Sequence, residues 1–126
     1  MVAYQPDRGD FIVVDCSPQA GTEQAGRRPA LVLSPQSFNV ALGLVFACPI
    51  TSKVSGSAFD VPVPASCRVK GAVLLAHLRS FDWIARNVAF HSRAPDSFVE
   101  DIVARLNAVI ETNESQAARL AAAGRR

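Results

Sequence analysis

The apolar residues of this chain change their spacing once. Phe98, Val99, Ile102, Val103, Leu106, Val109 and Ile110 recur along a single helical stripe. Ser97 and Glu100 ahead of that stripe have the spacing of a capping box, so the pattern predicts a core-packing helix over 96–111. Upstream, the apolar residues come instead as short runs at 11–14, 30–33, 44–50 and 71–78, punctuated by Gly, Pro, Ser and Asp. Strands in quick succession followed by one helix exclude alternating β-α-β units. They predict a mainly β chain with helices (α+β), built as a small antiparallel sheet or barrel with a helix packed on it.

In more detail, the turn signals place strands at about 10–15, 28–34, 44–50, 59–63 and 71–78, and a last short strand at 88–90. Pro62 makes the 59–63 strand an edge strand. Short helical turns are expected around 37–41 and 81–86. Residues 1–112 read as one domain, with 113–126 as a tail that either extends the helix or is loose. A length of 126 residues suits one domain. With 49% hydrophobic and 19% charged residues, the composition is globular rather than disordered.

The longest apolar stretch, 40–50, is interrupted by Gly43 and Pro49 and is too short to span a bilayer. The opening MVAYQPDRGD lacks the apolar core of a secretory signal, so the expected location is cytoplasmic. Cys16, Cys48 and Cys67 show no C-x-x-C spacing. Neither a zinc site nor a disulfide framework is expected, and no metal or cofactor. The net charge is only +2, yet Lys53 and Lys70 are the only lysines among thirteen basic residues. Arginine offers a planar fork that grips phosphate through paired hydrogen bonds.

Polar residues cluster at the strand ends. Glu23 and Gln24 lie between Gly21 and Gly26, Arg27 and Arg28 stand before Pro29 at a strand mouth, and Thr51-Ser52-Lys53 follows another strand. His77 and Arg79 close a fourth run. Taken singly, each is an ordinary loop or sheet-edge group. Together they supply what RNA cleavage without a metal requires: a base for the 2′-hydroxyl, an acid for the leaving 5′-oxygen, and fixed cations for charge developing on phosphate. Neighbouring residues of a strand point to opposite faces. Arg27 and Arg28 therefore cannot share one task.

On Pro6-Asp7-Arg8-Gly9-Asp10, the block GTEQAGRRPALVLS, Pro49-Ile50-Thr51-Ser52 and Arg79-Ser80, the chain resembles the MazF/PemK family of toxin endoribonucleases, as far as about Ile110. The resemblance implies a compact SH3-like, MazF/CcdB-like antiparallel barrel with helices that forms a homodimer. It implies cleavage of single-stranded RNA, as in mRNA, at short sequence motifs and without a metal, leaving 2′,3′-cyclic phosphate and 5′-hydroxyl ends. It implies a cognate MazE-like antitoxin that binds across the dimer and blocks the RNA groove, and no membrane association.

The family's catalytic arginine, directly before proline, falls on Arg28. Its catalytic threonine falls on Thr51, and a loop glutamate implicated in some members falls on Glu23. A permanently charged guanidinium suits holding phosphate and is a reluctant base. A threonine hydroxyl can donate to a non-bridging oxygen, and Glu23, the only carboxylate of the cluster, is the candidate base. Gln24, Arg27, Ser52, Lys53, His77 and Arg79 are the candidate RNA-binding residues. His77 departs from the family pattern, in which glutamine is common. It can stack on a base, hydrogen-bond to it, serve as an acid or base, or replace glutamine in a structural hydrogen bond. Two rival readings are a gyrase-poisoning toxin of the same fold and a non-catalytic RNA- or protein-binding module. The joint presence of Glu23, Arg28 and Thr51 speaks against the first.

Overall fold

The computed structural model describes residues 3–16, 26–53, 56–111 and 121–122. In chain order the elements are β1 (Asp10–Cys16), β2 (Gly26–Val32), α1 (Gln36–Leu42), β3 (Leu44–Thr51), β4 (Asp60–Pro62), β5 (Ala72–Leu74), β6 (Arg79–Asp82), β7 (Ala89–Arg93) and α2 (Asp96–Glu111). The strands form one antiparallel sheet in the order β4-β5-β3-β2-β1-β7, with β6 also paired to β3. The mainly β architecture with a C-terminal helix is as expected. Among the described residues the sheet stays open, with β4 at one end, as Pro62 requires, and β7 at the other. The tail 113–126, apart from 121–122, lies outside the described residues.

Both faces of the central strands are covered, so their sequences read as unbroken apolar runs rather than alternations. Phe11, Leu31, Cys48, Ile50 and Val73 face a core completed by Phe98, Val99 and Ile102 of α2. The intervening residues Ile12, Val14, Ala30, Val32, Val45 and Ala47 face a second core closed by Phe81, with Tyr4, Trp83 and Val88 at its margin. The helical stripe is buried over its first half. Val103 and Leu106 pack partly against the core, whereas Val109 and Ile110 are exposed because the helix outruns the core beneath it.

Pro6-Asp7-Arg8-Gly9-Asp10 ties the fold together. Asp7 Oδ1 accepts from the backbone N–H of Gln36 (2.9 Å), an otherwise uncapped start of α1. Arg8 Nε donates to the Leu33 carbonyl, and the buried Asp10 carboxylate accepts from Tyr4 Oη and from Arg93 at the end of β7.

Two expectations need correction. The strand predicted over 71–78 ends at Leu74, and a 3-10 turn follows over Leu75–His77. The helical turn predicted over 81–86 begins instead as β6, and the chain turns only after Asp82, whose Oδ1 accepts from the Ile84 and Ala85 N–H groups. One cause explains the first error and the start of the second. β5 and β6 both pair with one edge of β3, yet Val73 opposes Ile50 and Arg79 opposes Ala47, so six steps on the outer chain answer three on β3. The 3-10 turn takes up the surplus, beside Pro49, which has no N–H for a ladder. Local apolar content is blind to such a register shift.

Cys48 is fully buried and free, and burial pushes its thiol up to about 12. A group raised on folding contributes stability that is complete below its unfolded value near pH 9 and is lost as pH climbs toward 12. Tyr4 shifts in the same direction through burial and its bond to Asp10. Cys48→Ala is therefore expected to flatten the loss of stability between pH 9 and 11, read from urea midpoints; an unchanged slope would show that the thiol is not linked to folding.

Candidate active site

The antiparallel register sorts the two arginines. Cross-strand partners share a face. Arg28 opposes Val14, and Arg27 opposes Asp15. Arg27 donates to the Asp15 carboxylate and the Val13 carbonyl on one face. Arg28 lies on the other, with Val14 and Ala30. On the β3 side Ala30 opposes Pro49, the last pair of that ladder. Carried two residues further, the same register sets Arg28 across from Thr51. Residues far apart in sequence thus become neighbours because two strands end together.

At this end of the sheet is a cavity of about 420 Å³. It is lined by Val14, Arg28, Pro29 and Ala30 from β1 and β2, and by Pro49, Ile50 and Thr51 from β3. Ser52, Lys53, Leu74, Arg79, Phe81 and Arg86 complete the lining. Among the described residues, four cations and no carboxylate line this space. The ion pairs among the described residues leave all four out. Such a low-dielectric, cation-walled cleft concentrates positive potential and draws in phosphate.

The second core supports the cations. The Phe81 ring lies beneath Arg79, with the guanidinium carbon 4.6 Å from the ring centroid, and Arg86 approaches the same ring at 6.0 Å. Thr51 Oγ1 accepts from the Lys53 backbone N–H at 3.1 Å. That bond uses a lone pair and leaves the hydroxyl proton free to donate into the cavity.

Of the residues singled out from sequence, Arg28, Thr51, Ser52, Lys53 and Arg79 meet here. Arg27 is turned to the opposite face by the strand pleat. His77 is exposed on the 3-10 turn and does not line the cavity. Glu23 and Gln24 lie outside the described residues. Sequence reasoning missed Arg86. No local signal marks it, because its place follows from the β6–β7 turn lying against the end of β1: the Asp15 N–H donates to the Arg86 carbonyl at 3.0 Å. Among the described residues no three His, Cys, Asp or Glu side chains converge on a metal position, and no helix is long and apolar enough to cross a membrane. Because His77 lies off the cavity, His77→Gln is expected to leave the pH–rate profile of cleavage unchanged; a changed profile would assign the imidazole a proton-transfer role.

The likeness to known proteins is extensive. A family model described as PemK-like, MazF-like toxin of type II toxin-antitoxin system matches residues 7–110. The Escherichia coli K12 protein named endoribonuclease toxin MazF is 36% identical over 107 residues, spanning 85% of this chain and 96% of its own. The endoribonuclease toxin ChpB of the same strain is 40% identical over 110 residues, spanning 83% and 94%. A crystal structure of MazE-MazF (Form-II) from Deinococcus radiodurans matches with a TM-score of 0.81 and 41% identity, covering 88% of this chain and 100% of that one. With nearly its whole sheet, its cation-lined strand ends and α2 inside the matched region, this chain belongs to the PemK-like, MazF-like toxins of type II toxin–antitoxin systems.

Proposed function

We propose that this protein is a toxin endoribonuclease that cuts single-stranded RNA at short sequence motifs without a metal, leaving 2′,3′-cyclic phosphate and 5′-hydroxyl ends. One observation carries the reading: Arg28 and Thr51 share a face at the ends of β2 and β3, inside a cavity lined, among the described residues, by four cations and no carboxylate. The 2′-oxygen attacks phosphorus, the new P–O2′ bond forms, and the P–O5′ bond breaks in line with it. Arg28 holds the non-bridging oxygens and stabilises their growing charge through its fixed fork. Thr51 donates its free hydroxyl proton to one of those oxygens. Glu23, in the segment that precedes β2, takes the 2′-proton, and the leaving 5′-oxygen takes a proton from solvent water at the cavity mouth, so that one proton leaves O2′ and one reaches O5′.

Lys53, Arg79 and Arg86 hold the flanking phosphates, and Ser52 and Gln24 read bases. A regular duplex would hinder both base reading and in-line alignment of the 2′-hydroxyl, which accounts for the preference for single strands. The working form is a cytoplasmic homodimer, silenced by a MazE-like antitoxin that occupies the RNA groove. The MazE-MazF pairing in the solved relatives supports that partner.

The test is incubation of the purified protein with a mixed-sequence RNA in EDTA, followed by mapping of the fragment ends. Cyclic phosphate and 5′-hydroxyl ends at a recurrent motif are expected. Tight binding without cleavage would point to a binding module, and gyrase inhibition without cleavage to a topoisomerase poison.

A further inference from the structure

Thr51 terminates β3 with a ladder neighbour on one side only. Its partner there is Ala72 of β5, whereas on the β2 side the pairing has already stopped at Ala30 and Pro49. The backbone of Thr51 is therefore seated by the start of β5, and Gly71, the residue just before that strand, packs directly against it. A Cβ on Gly71 would lie 2.2 Å from the Thr51 carbonyl oxygen, 3.0 Å from its carbonyl carbon and 3.3 Å from Ile50 Cγ2. The first two are backbone atoms and cannot rotate away. Gly71 cannot swing aside either, because its carbonyl accepts from the Val63 N–H at 2.8 Å and its φ of +127° already lies where L side chains are strained. Any L side chain here forces the Thr51 carbonyl to retreat by about 1 Å to reach ordinary contact.

We propose that Gly71 is the positioning residue for Thr51: its missing side chain lets β5 seat against the Thr51 carbonyl and so fixes how far the threonine hydroxyl reaches into the phosphate cavity. The inference rests on the role given to Thr51 above. Displacing a catalytic group by about 1 Å costs on the order of 10²-fold in rate. Gly71→Ala is accordingly expected to lower the single-turnover cleavage rate by about 10²-fold, with the half-saturating RNA concentration changed by less than about threefold, because the cations that hold RNA stay in place.

A double-mutant cycle separates positioning from general damage. In a Thr51→Ala background there is no hydroxyl to misplace, so adding Gly71→Ala costs less than about threefold. Wild-type rates for Gly71→Ala, or an equal loss in both backgrounds, overturn the proposal. Normal cleavage by Thr51→Ala alone would overturn the role of the threonine instead, so the two failures are distinguishable. If Gly71→Ala does not fold, D-alanine can be placed at 71 by ligation at the native Cys67. It accepts the positive φ and carries its methyl on the side of the chain away from the Thr51 carbonyl. A folded D-alanine protein that cleaves within about threefold of wild type supports a need for space facing Thr51, and a folded but inactive one overturns it.

Discussion

Arg28→Gln is expected to cut the single-turnover rate of RNA cleavage by about 10²–10³-fold, the usual loss when one fixed donor to a developing oxyanion is removed. The fold should not register the change. Arg28 is exposed at the outer end of β2, opposite Val14, and joins none of the ion pairs among the described residues. Thermal unfolding of Arg28→Gln should therefore match wild type to within a few degrees. Arg28→Lys should fall between the two, since it keeps the charge but loses the planar fork. A wild-type rate for Arg28→Gln would move the chemistry to another cation of the cluster, with Arg86 the first to test. A large fall in melting temperature would show that the residue is structural.

The largest effect on stability is expected at Asn39. This buried amide joins three parts of the chain. Its Nδ2 donates to the carbonyls of Pro6 and Ser34, at 2.9 and 3.0 Å, and its Oδ1 accepts from Ser34 Oγ. Ser34 Oγ in turn accepts from the Phe46 N–H of β3. The backbone carbonyl of Asn39 also accepts from Trp83 Nε1 and from the N–H of Gly43, whose left-handed conformation ends α1. Truncation to alanine strands two buried carbonyls and a hydroxyl, at about 1–3 kcal/mol for each unsatisfied group. With partial relaxation, Asn39→Ala should lose about 3 kcal/mol, or roughly 10 °C in Tm. Urea and thermal melts can be run in the Arg28→Gln background, whose expected loss of activity limits toxicity during expression. A loss under about 1 kcal/mol would mean that water replaces the amide.

The difference between these two residues marks what could be read in advance. Arg28 was singled out because the resemblance places the family's catalytic arginine directly before proline, and the strand pleat separates it from Arg27. Asn39 carried no such signal. A polar residue in a short helix looks the same whether it faces solvent or joins the chain's N-terminal segment to the start of β3. Arg79 could be named from its sequence context. Arg86, lining the same cavity, could not, because its place depends on how the β6–β7 turn meets the end of β1.

Short-range patterns along the chain were enough for most of the strands, for the C-terminal helix and for the chemical character of the strand-end residues. These properties are local: apolar spacing, turn residues and the pleat act over a few positions. Which strand ends coincide was settled by long-range pairing instead. Only the β2–β3 register sets Arg28 across from Thr51, only the surplus residues between β5 and β6 carry His77 away from the cavity, and only the seating of Gly71 on the Thr51 carbonyl fixes the depth of the threonine. Each depends on pairings between residues far apart in the chain, set by how two apolar cores pack around one coiled sheet, and no window along the sequence contains them.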